Sequence, residues 1–172
     1  MGPISISPDG PASTPGWEAP TDVDAAVHAA GLPMYGKEML DIHYHAHLTV
    51  NVDGQHIVVP AGIGINVPQQ RYSPLHTHSN IGVIHIESDK RVPFTLGQFF
   101  AEWRQPLSTT QVGPVKVKPG EAVRLFLNGA EVPGDPAMLT LASHQEIFVW
   151  VGPANGPVPP LPPKFDWNSD WM

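Results

Sequence analysis

The chain has 172 residues, enough for one domain with its own hydrophobic core, and its 9 Lys and Arg against 16 Asp and Glu give a formal net charge of −7. An acidic chain without a basic run is a poor match for nucleic acid or an anionic membrane surface, and no apolar run reaches the roughly 18 residues of a transmembrane span. Cysteine is absent, which excludes disulfides, thiolate metal sites, blue-copper centres and cysteine nucleophiles.

Proline and glycine are concentrated at the two ends. Residues 1–20 hold five Pro and three Gly, and residues 152–163 hold six Pro and two Gly. We therefore predict a Pro/Gly-rich linker over 1–20, a globular domain over 21–152 and a Pro-rich tail over 153–172 whose aromatic residues fold back on the domain. The front segment is typical of a linker that follows a removed leader or lipid anchor, which favours an extracytoplasmic location.

The first elements of the domain are predicted to be a short helix and a hairpin. The helix begins near Thr21-Asp22 and ends at Gly31. Residues 41–52 then alternate between apolar and polar side chains, which is the period-2 pattern of a strand, and the histidines share the polar face. Asp53-Gly54 predicts a tight turn, and residues 55–59 form the return strand.

The rest of the chain is also rich in short strands. Residues 81–87 are apolar on both faces, as expected of a buried strand, and Thr95 with Gln98 forms a capping box ahead of a short amphipathic helix. The last third predicts strands near 115–118, 122–127 and 145–151 and a turn at Asn128-Gly129. The sequence therefore predicts a mainly β fold, a small barrel or sandwich with one or two short helices.

Histidines are concentrated in one part of this pattern. Seven of the nine lie in residues 43–85, where an even spread would put about two. His43, His45 and His47 alternate on one strand face, so neighbours are roughly 6.6 Å apart at a rise of ~3.3 Å per residue. Two such imidazoles can bind one ion at ~2.0–2.1 Å, whereas the outer pair lies roughly 13 Å apart. The triplet offers a two-ligand clip with one spare histidine, or ligands for two sites.

A second clip follows at His76-Thr77-His78, and His85 lies on the buried strand. A buried neutral histidine must satisfy both ring nitrogens, and a metal ion with a hydrogen-bonded outer partner does so. The predicted metal ligands are His43, His45, His47, His76, His78 and His85. The alternatives are a solvent-exposed polar strand face and a pH-sensitive surface. We expect surface roles for His28, His56 and His144.

One acidic residue has two interpretations. Glu87 lies two residues after His85 and so shares its side of the strand. It is either support or a general base beside a metal centre, or a surface acid at the end of a strand.

A family resemblance is carried by residues 43–48 (HYHAHL), 60–65 (PAGIGI), 73–78 (SPLHTH), 82–87 (GVIHIE) and 94–100 (FTLGQFF), and Asn128-Gly129 and residues 146–152 (EIFVWVG) also fit. With this spacing the chain resembles an uncharacterised family of bacterial and archaeal secreted or membrane-anchored His-rich β domains. The resemblance implies an extracytoplasmic location and metal binding, and it implies no reaction. The family typically has Asp after the second clip, where this chain has Ser79, so no carboxylate ligand is expected there.

These patterns lead to two functional hypotheses. Imidazole ligands suit copper, zinc and iron, and the affinity order of divalent ions favours copper, with zinc or iron as alternatives. The first hypothesis is an extracytoplasmic copper-binding protein whose partner is the metal ion. The second is a mononuclear metal-dependent enzyme, a cupin-like oxidoreductase, although the Glu that cupins place after their H-x-H clip is missing here. Whether the protein is an enzyme is left open by the sequence.

Overall fold

The computed structural model describes residues 13–37, 39 and 41–168. Two α-helices, α1 (Val23–Ala29) and α2 (Leu96–Trp103), and a 3-10 turn over Pro136–Met138 accompany eleven strands in the described part of the chain. The strands are β1 (Ile42–Val52), β2 (Gln55–Ile57), β3 (Ile65–Asn66), β4 (Arg71–Tyr72), β5 (Leu75–His76), β6 (Val83–Ser88), β7 (Gln111–Val112), β8 (Val115–Lys116), β9 (Glu121–Leu127), β10 (Ala130–Val132) and β11 (Glu146–Pro153).

Seven strands form the central sheet. Its order is β10-β9-β11-β1-β6-β5, and β2 pairs with the far end of β1. The central strand β1 runs parallel to β11 and antiparallel to β6 and β2. The sheet curls into a half-barrel, which confirms the predicted mainly β class with two short helices. Neither helix of the described residues has the length and apolar character to cross a bilayer.

One face of this sheet carries the hydrophobic core. Ala46, Leu48 and Val50 of β1 are buried, as the alternation predicted, and the sheet residues of this face pack with the aromatic side chains of α2. Phe99 and Trp103 are among the largest fully buried side chains. Burial of each large apolar side chain contributes roughly 1.5–3 kcal/mol. The core therefore holds the sheet from one side and leaves the opposite face for polar residues.

Helix α2 has the predicted start. The Thr95 side chain accepts a hydrogen bond from the Gln98 backbone N–H, and the Gln98 side chain accepts one from the Thr95 N–H. This capping box satisfies two backbone donors that a helix otherwise leaves unpaired. It fixes where the helix begins, and with it which residues of α2 point into the core.

The N-terminal boundary predicted at residue 21 is too late. Trp17 is 3% exposed and belongs to the core, where its carbonyl accepts a hydrogen bond from Trp103 Nε1 at 2.9 Å. Thr14 Oγ1 accepts from the Val58 N–H at 2.9 Å. Residues 13–20 are therefore part of the domain, because a single buried tryptophan outweighs the local Pro/Gly composition. Residues 1–12 of the predicted linker lie outside the described residues.

The C-terminal tail folds back on the sheet, as predicted. The Phe165 ring stacks on His47 with centroids 4.6 Å apart, and Trp167 stacks on His144 at 4.5 Å. Trp171 lies outside the described residues. The tail therefore covers the polar side of the sheet beside β11.

Candidate metal centre

The predicted metal ligands lie on the side of the sheet opposite the core. In the antiparallel pair of β1 and β6, His45 lies opposite His85 and His43 opposite Glu87. β5 adds His76 opposite His85. Paired residues of neighbouring strands point to the same side of a sheet, so these five side chains share one surface. We call this surface the histidine face.

Two groups of potential ligand atoms form on the histidine face. Within each group every ligand atom lies within 4.8 Å of the others, and His85 belongs to both groups. The first group is His76, His78, His85 and Glu87, and the second group is His43, His45 and His85. The structure thus brings together five of the six predicted histidines and adds a carboxylate.

The carboxylate of Glu87 lies where the two groups meet. Its Oε1 is 3.4 Å from Nε2 of His43, 3.6 Å from Nε2 of His76 and 3.9 Å from Nδ1 of His85. Ligands of one tetrahedral ion at ~2.0–2.1 Å are separated by roughly 3.3 Å. The side chains therefore already stand at separations close to those that a shared ion requires.

The ring of His76 is oriented by the backbone. Its Nδ1–H donates to the carbonyl oxygen of Ser73 at 2.8 Å, because a carbonyl can only accept. The other ring nitrogen, Nε2, faces Oε1 of Glu87. Two lone pairs that face each other in this way repel unless a cation lies between them. A metal ion can take this place. A hydrogen bond on the far ring nitrogen is the usual arrangement of a metal-binding histidine.

Burial keeps two of the histidines neutral. Desolvation, helped by the neighbouring charge of His43, lowers the pKa of His45 to about 4. Desolvation, with the charges of the surrounding histidines, also lowers the pKa of His85 well below its usual value. Imidazole binds metal only in its neutral form, so these two ligands are available at neutral pH without losing a proton.

Glu87 is buried and ionised. Burial raises its pKa, but the nearby His76, together with the charge of His43, outweighs that effect and holds the pKa below its usual value. Glu87 is 3% exposed, and within the described part of the chain its Oε2 has no hydrogen-bond partner. A buried carboxylate oxygen without a partner is costly, and a bound cation would satisfy it. The residues present therefore fit a metal ion.

Two residues of the cluster are partly exposed to solvent. His45, His76 and His85 are buried, whereas His78 is half-buried and the side chain of His43 is 33% exposed. An ion can reach the buried nitrogens past these two residues.

His47 lies outside both groups, although it was predicted as a ligand on the same strand face. Its Nε2–H donates to the carbonyl oxygen of Ile81 at 2.9 Å, and its Nδ1–H donates to Oε2 of Glu146 at 2.9 Å. With both ring nitrogens hydrogen-bonded to acceptors, the ring has no lone pair free for a metal. His47 is the spare member of the triplet, because β11 places Glu146 directly opposite it.

The other three histidines are exposed. They are His28, His56 and His144, and none belongs to either group. His144 nevertheless lies close to the centre, because its backbone N–H donates to the carbonyl oxygen of His45 at 2.7 Å.

The structure settles the two interpretations of Glu87 and adds a carboxyl group that was not singled out. Glu87 is inside the cluster rather than at the surface, and its shared strand side with His85 was the available indication. Glu102 of α2 is fully buried and hydrogen-bonded to the Ser73 side chain, and burial raises its pKa well above the usual value. Glu102 is therefore a neutral carboxyl that contacts Ser73, the residue whose carbonyl oxygen orients the His76 ring. Its position three residues after Phe99 placed it on the buried side of the helix.

Comparisons with protein-family models, curated proteins and solved structures found no match for the chain. The resemblance to a family of secreted His-rich domains therefore stays a prediction, and the functional argument rests on the geometry of the site.

Proposed function

We propose that this protein binds a transition metal ion, copper, outside the cytoplasm. The observation that carries the proposal is the convergence of five histidines and the buried Glu87 on one face of the sheet. Such a cluster is costly without a bound cation, because it places several polar groups in a poorly solvated position. Nothing in the hydrophobic core requires these residues, since the core packs on the other face.

Copper is favoured by the ligand set. Imidazole nitrogens with one carboxylate suit copper, zinc and iron, and the affinity order of divalent ions places copper above zinc. Zinc is the first alternative, because it accepts the same ligands in tetrahedral geometry. Iron is the second, since two histidines and a carboxylate also bind it.

The extracytoplasmic location rests on the sequence resemblance and on the Pro/Gly-rich N-terminal composition. Fractionation of a native host that expresses the full gene tests it. We expect the protein outside the cytoplasm, and recovery from the cytoplasm alone would contradict that part of the proposal.

Titration of metal-free protein with Cu(II) and Zn(II) tests the metal proposal. We expect binding of Cu(II) more tightly than Zn(II), and a loss of about 100-fold or more in affinity when His76 and His78 are both replaced by Ala. The double variant His28→Ala/His56→Ala is the matched control, because it removes two exposed histidines that lie outside both groups. Equal losses in the two double variants would overturn the proposal.

A cavity on the same sheet face is the observation behind the enzyme hypothesis as a second candidate, although no residue of either ligand group lines it. A cavity of about 470 Å³ is lined by Phe148 of β11, by Trp167 of the tail and by His144, whose backbone is bonded to that of His45. An enzyme keeps an open coordination position beside such a cavity, whereas a carrier encloses its ion. Azide added to the Cu(II) protein separates the two. A new charge-transfer band and a changed electron paramagnetic resonance spectrum support the enzyme, and unchanged spectra support the carrier.

A further inference from the structure

We propose that the histidine face holds two metal ions per chain, one at each histidine clip, with Glu87 and His85 between them. This inference rests on the proposed function, because it requires that the cluster binds metal at all. It goes further in assigning two ions to the two groups of ligand atoms.

The two groups take their histidine clips from different strands. The second group has His43 and His45 from β1, and the first has His76 and His78 from β5 and the residues that follow it. The strand β6 lies between β1 and β5 in the sheet. Its two members, His85 and Glu87, therefore stand between the clips.

The position of Glu87 suits a bridging carboxylate. Its Oε1 lies 3.4 Å from His43 Nε2, in the second group, and 3.6 Å from His76 Nε2, in the first group. The other oxygen, Oε2, is buried and lacks a hydrogen-bond partner among the described residues. Oε1 alone faces histidines of both groups, and a carboxylate that bridges two ions would also give Oε2 a partner.

The ring of His85 has a clip on each side. Its centroid is 4.6 Å from that of His45 and 4.5 Å from that of His78, and both contacts are edge-to-face. His85 is also the single histidine that both groups contain. A single ion cannot be bound by all five histidines. It would therefore leave at least one of the two clips facing the buried carboxylate without a cation.

Repulsion between two cations limits how tightly the second ion binds. The described residues of the cluster supply one negative charge, that of Glu87, so a pair of divalent ions keeps an excess of positive charge. A small anion from solvent, such as hydroxide or chloride, can reduce this excess of positive charge. We therefore expect two successive binding steps, the second weaker than the first.

The experiment measures copper per chain in the full-length protein. Metal-free protein is loaded with excess Cu(II), freed of unbound metal by gel filtration, and analysed for copper and for protein. The same samples are examined by electron paramagnetic resonance. We expect two coppers per chain and a spin count well below the copper content, because two Cu(II) ions joined by a bridge are magnetically coupled.

Two single variants assign the ions to the clips. His78→Ala removes a ligand of the first group only, and His43→Ala removes one of the second group only. Each is expected to hold one copper, with the spin count now equal to the copper content, and the double variant is expected to bind copper more weakly than either single variant. The control His56→Ala, at an exposed position of β2, should keep two coppers with coupled spins.

The possible outcomes separate the inference from the proposed function. One copper per wild-type chain with a full spin count overturns the two-ion inference and leaves metal binding in place. No retained copper overturns both. The wild-type measurement needs no variant, so a variant that fails to fold does not remove the test.

Discussion

The two ends of the histidine face use the same residue in opposite ways. At one end His45 and His85 are buried, neutral and turned toward other potential ligands. At the other end His47, only two residues from His45, donates from both ring nitrogens and pairs with Glu146. The alternation of β1 gives both histidines the same orientation. What differs is the neighbouring strand: β6 offers a histidine and β11 a carboxylate.

Two histidines that share a strand face can therefore have different roles. His47, with both ring nitrogens hydrogen-bonded to acceptors, is a structural contact. A histidine desolvated among others stays neutral and is prepared for a metal.

Replacement of His85 should have the largest effect on metal binding. Loss of an outer partner alone costs about 10–100-fold in metal affinity, and His85 is a direct candidate in both groups, so we expect a loss of about 100-fold or more in His85→Ala. His47→Ala should bind Cu(II) within about 3-fold of wild type, because its ring has no lone pair to offer. Isothermal titration of both variants checks this, with circular dichroism as the control for folding. A similar loss in the two variants would contradict this difference in roles.

The metal-free protein should lose stability in acid because of its neutral histidines. His45 titrates near 6.5 when unfolded and at about 4 when folded, so protons bind the unfolded chain first. This contribution is complete above pH 6.5 and is lost as the pH falls to 4, with a magnitude of about 3 kcal/mol at most. Urea unfolding between pH 7 and pH 4 measures it. His45→Gln should show a weaker dependence on pH, and an equally steep curve in that variant would assign the effect elsewhere.

Removal of His47 should weaken the docking of the C-terminal tail rather than the binding of metal. Glu146 accepts from His47 and also from the Phe165 backbone N–H at 2.6 Å, so His47→Ala leaves a part-buried carboxylate without this donor. We expect a cost of about 1–2 kcal/mol in the free energy of unfolding. Trypsin should cleave after Lys164 faster than in wild type, since this exposed residue precedes the docked Phe165. His56→Ala is the control, and equal cleavage rates in the two variants would refute the anchoring role.

The smallest expected effect is that of replacing Glu102, the neutral carboxyl that contacts Ser73. The pKa of Glu102 is raised by burial, so the stability that its protonated form contributes is complete below pH 4.5 and is lost as the pH rises through the folded pKa. Glu102→Gln keeps the shape without the charge. It should match wild type within about 1 kcal/mol near pH 5 and be the more stable of the two at pH 9. Thermal melts at both values test this, and parallel behaviour would argue against a raised pKa.

Much of the fold was predictable because it depends on local patterns. The period-2 alternation of residues 41–52 assigned Leu48 and Val50 to the core and the histidines to the opposite face, and the capping box at Thr95 located α2. Both patterns are properties of a few neighbouring residues.

The rest depended on contacts between distant parts of the chain. The role of His47 is set by its register with Glu146, and no pattern near either residue specifies that pairing. Trp17 lies in a segment whose composition predicts a linker, and only its contact with Trp103 shows that it is core. Glu87 was recognised as sharing a side with His85, but its burial follows from β5 and β1 on either side of β6.

The parallel pairing of β1 with β11 has a consequence for the order in which the protein folds. It joins His47 to Glu146, 99 positions apart, and closing so long a loop is slow compared with forming the antiparallel pairs of β1, β6 and β5. All six residues of the candidate metal centre lie within residues 43–87. During synthesis they leave the ribosome before β11 exists, while one edge of β1 is still an unpaired strand edge open to aggregation. The centre can therefore assemble on a nascent chain, and β11 protects it only when the last third has been made.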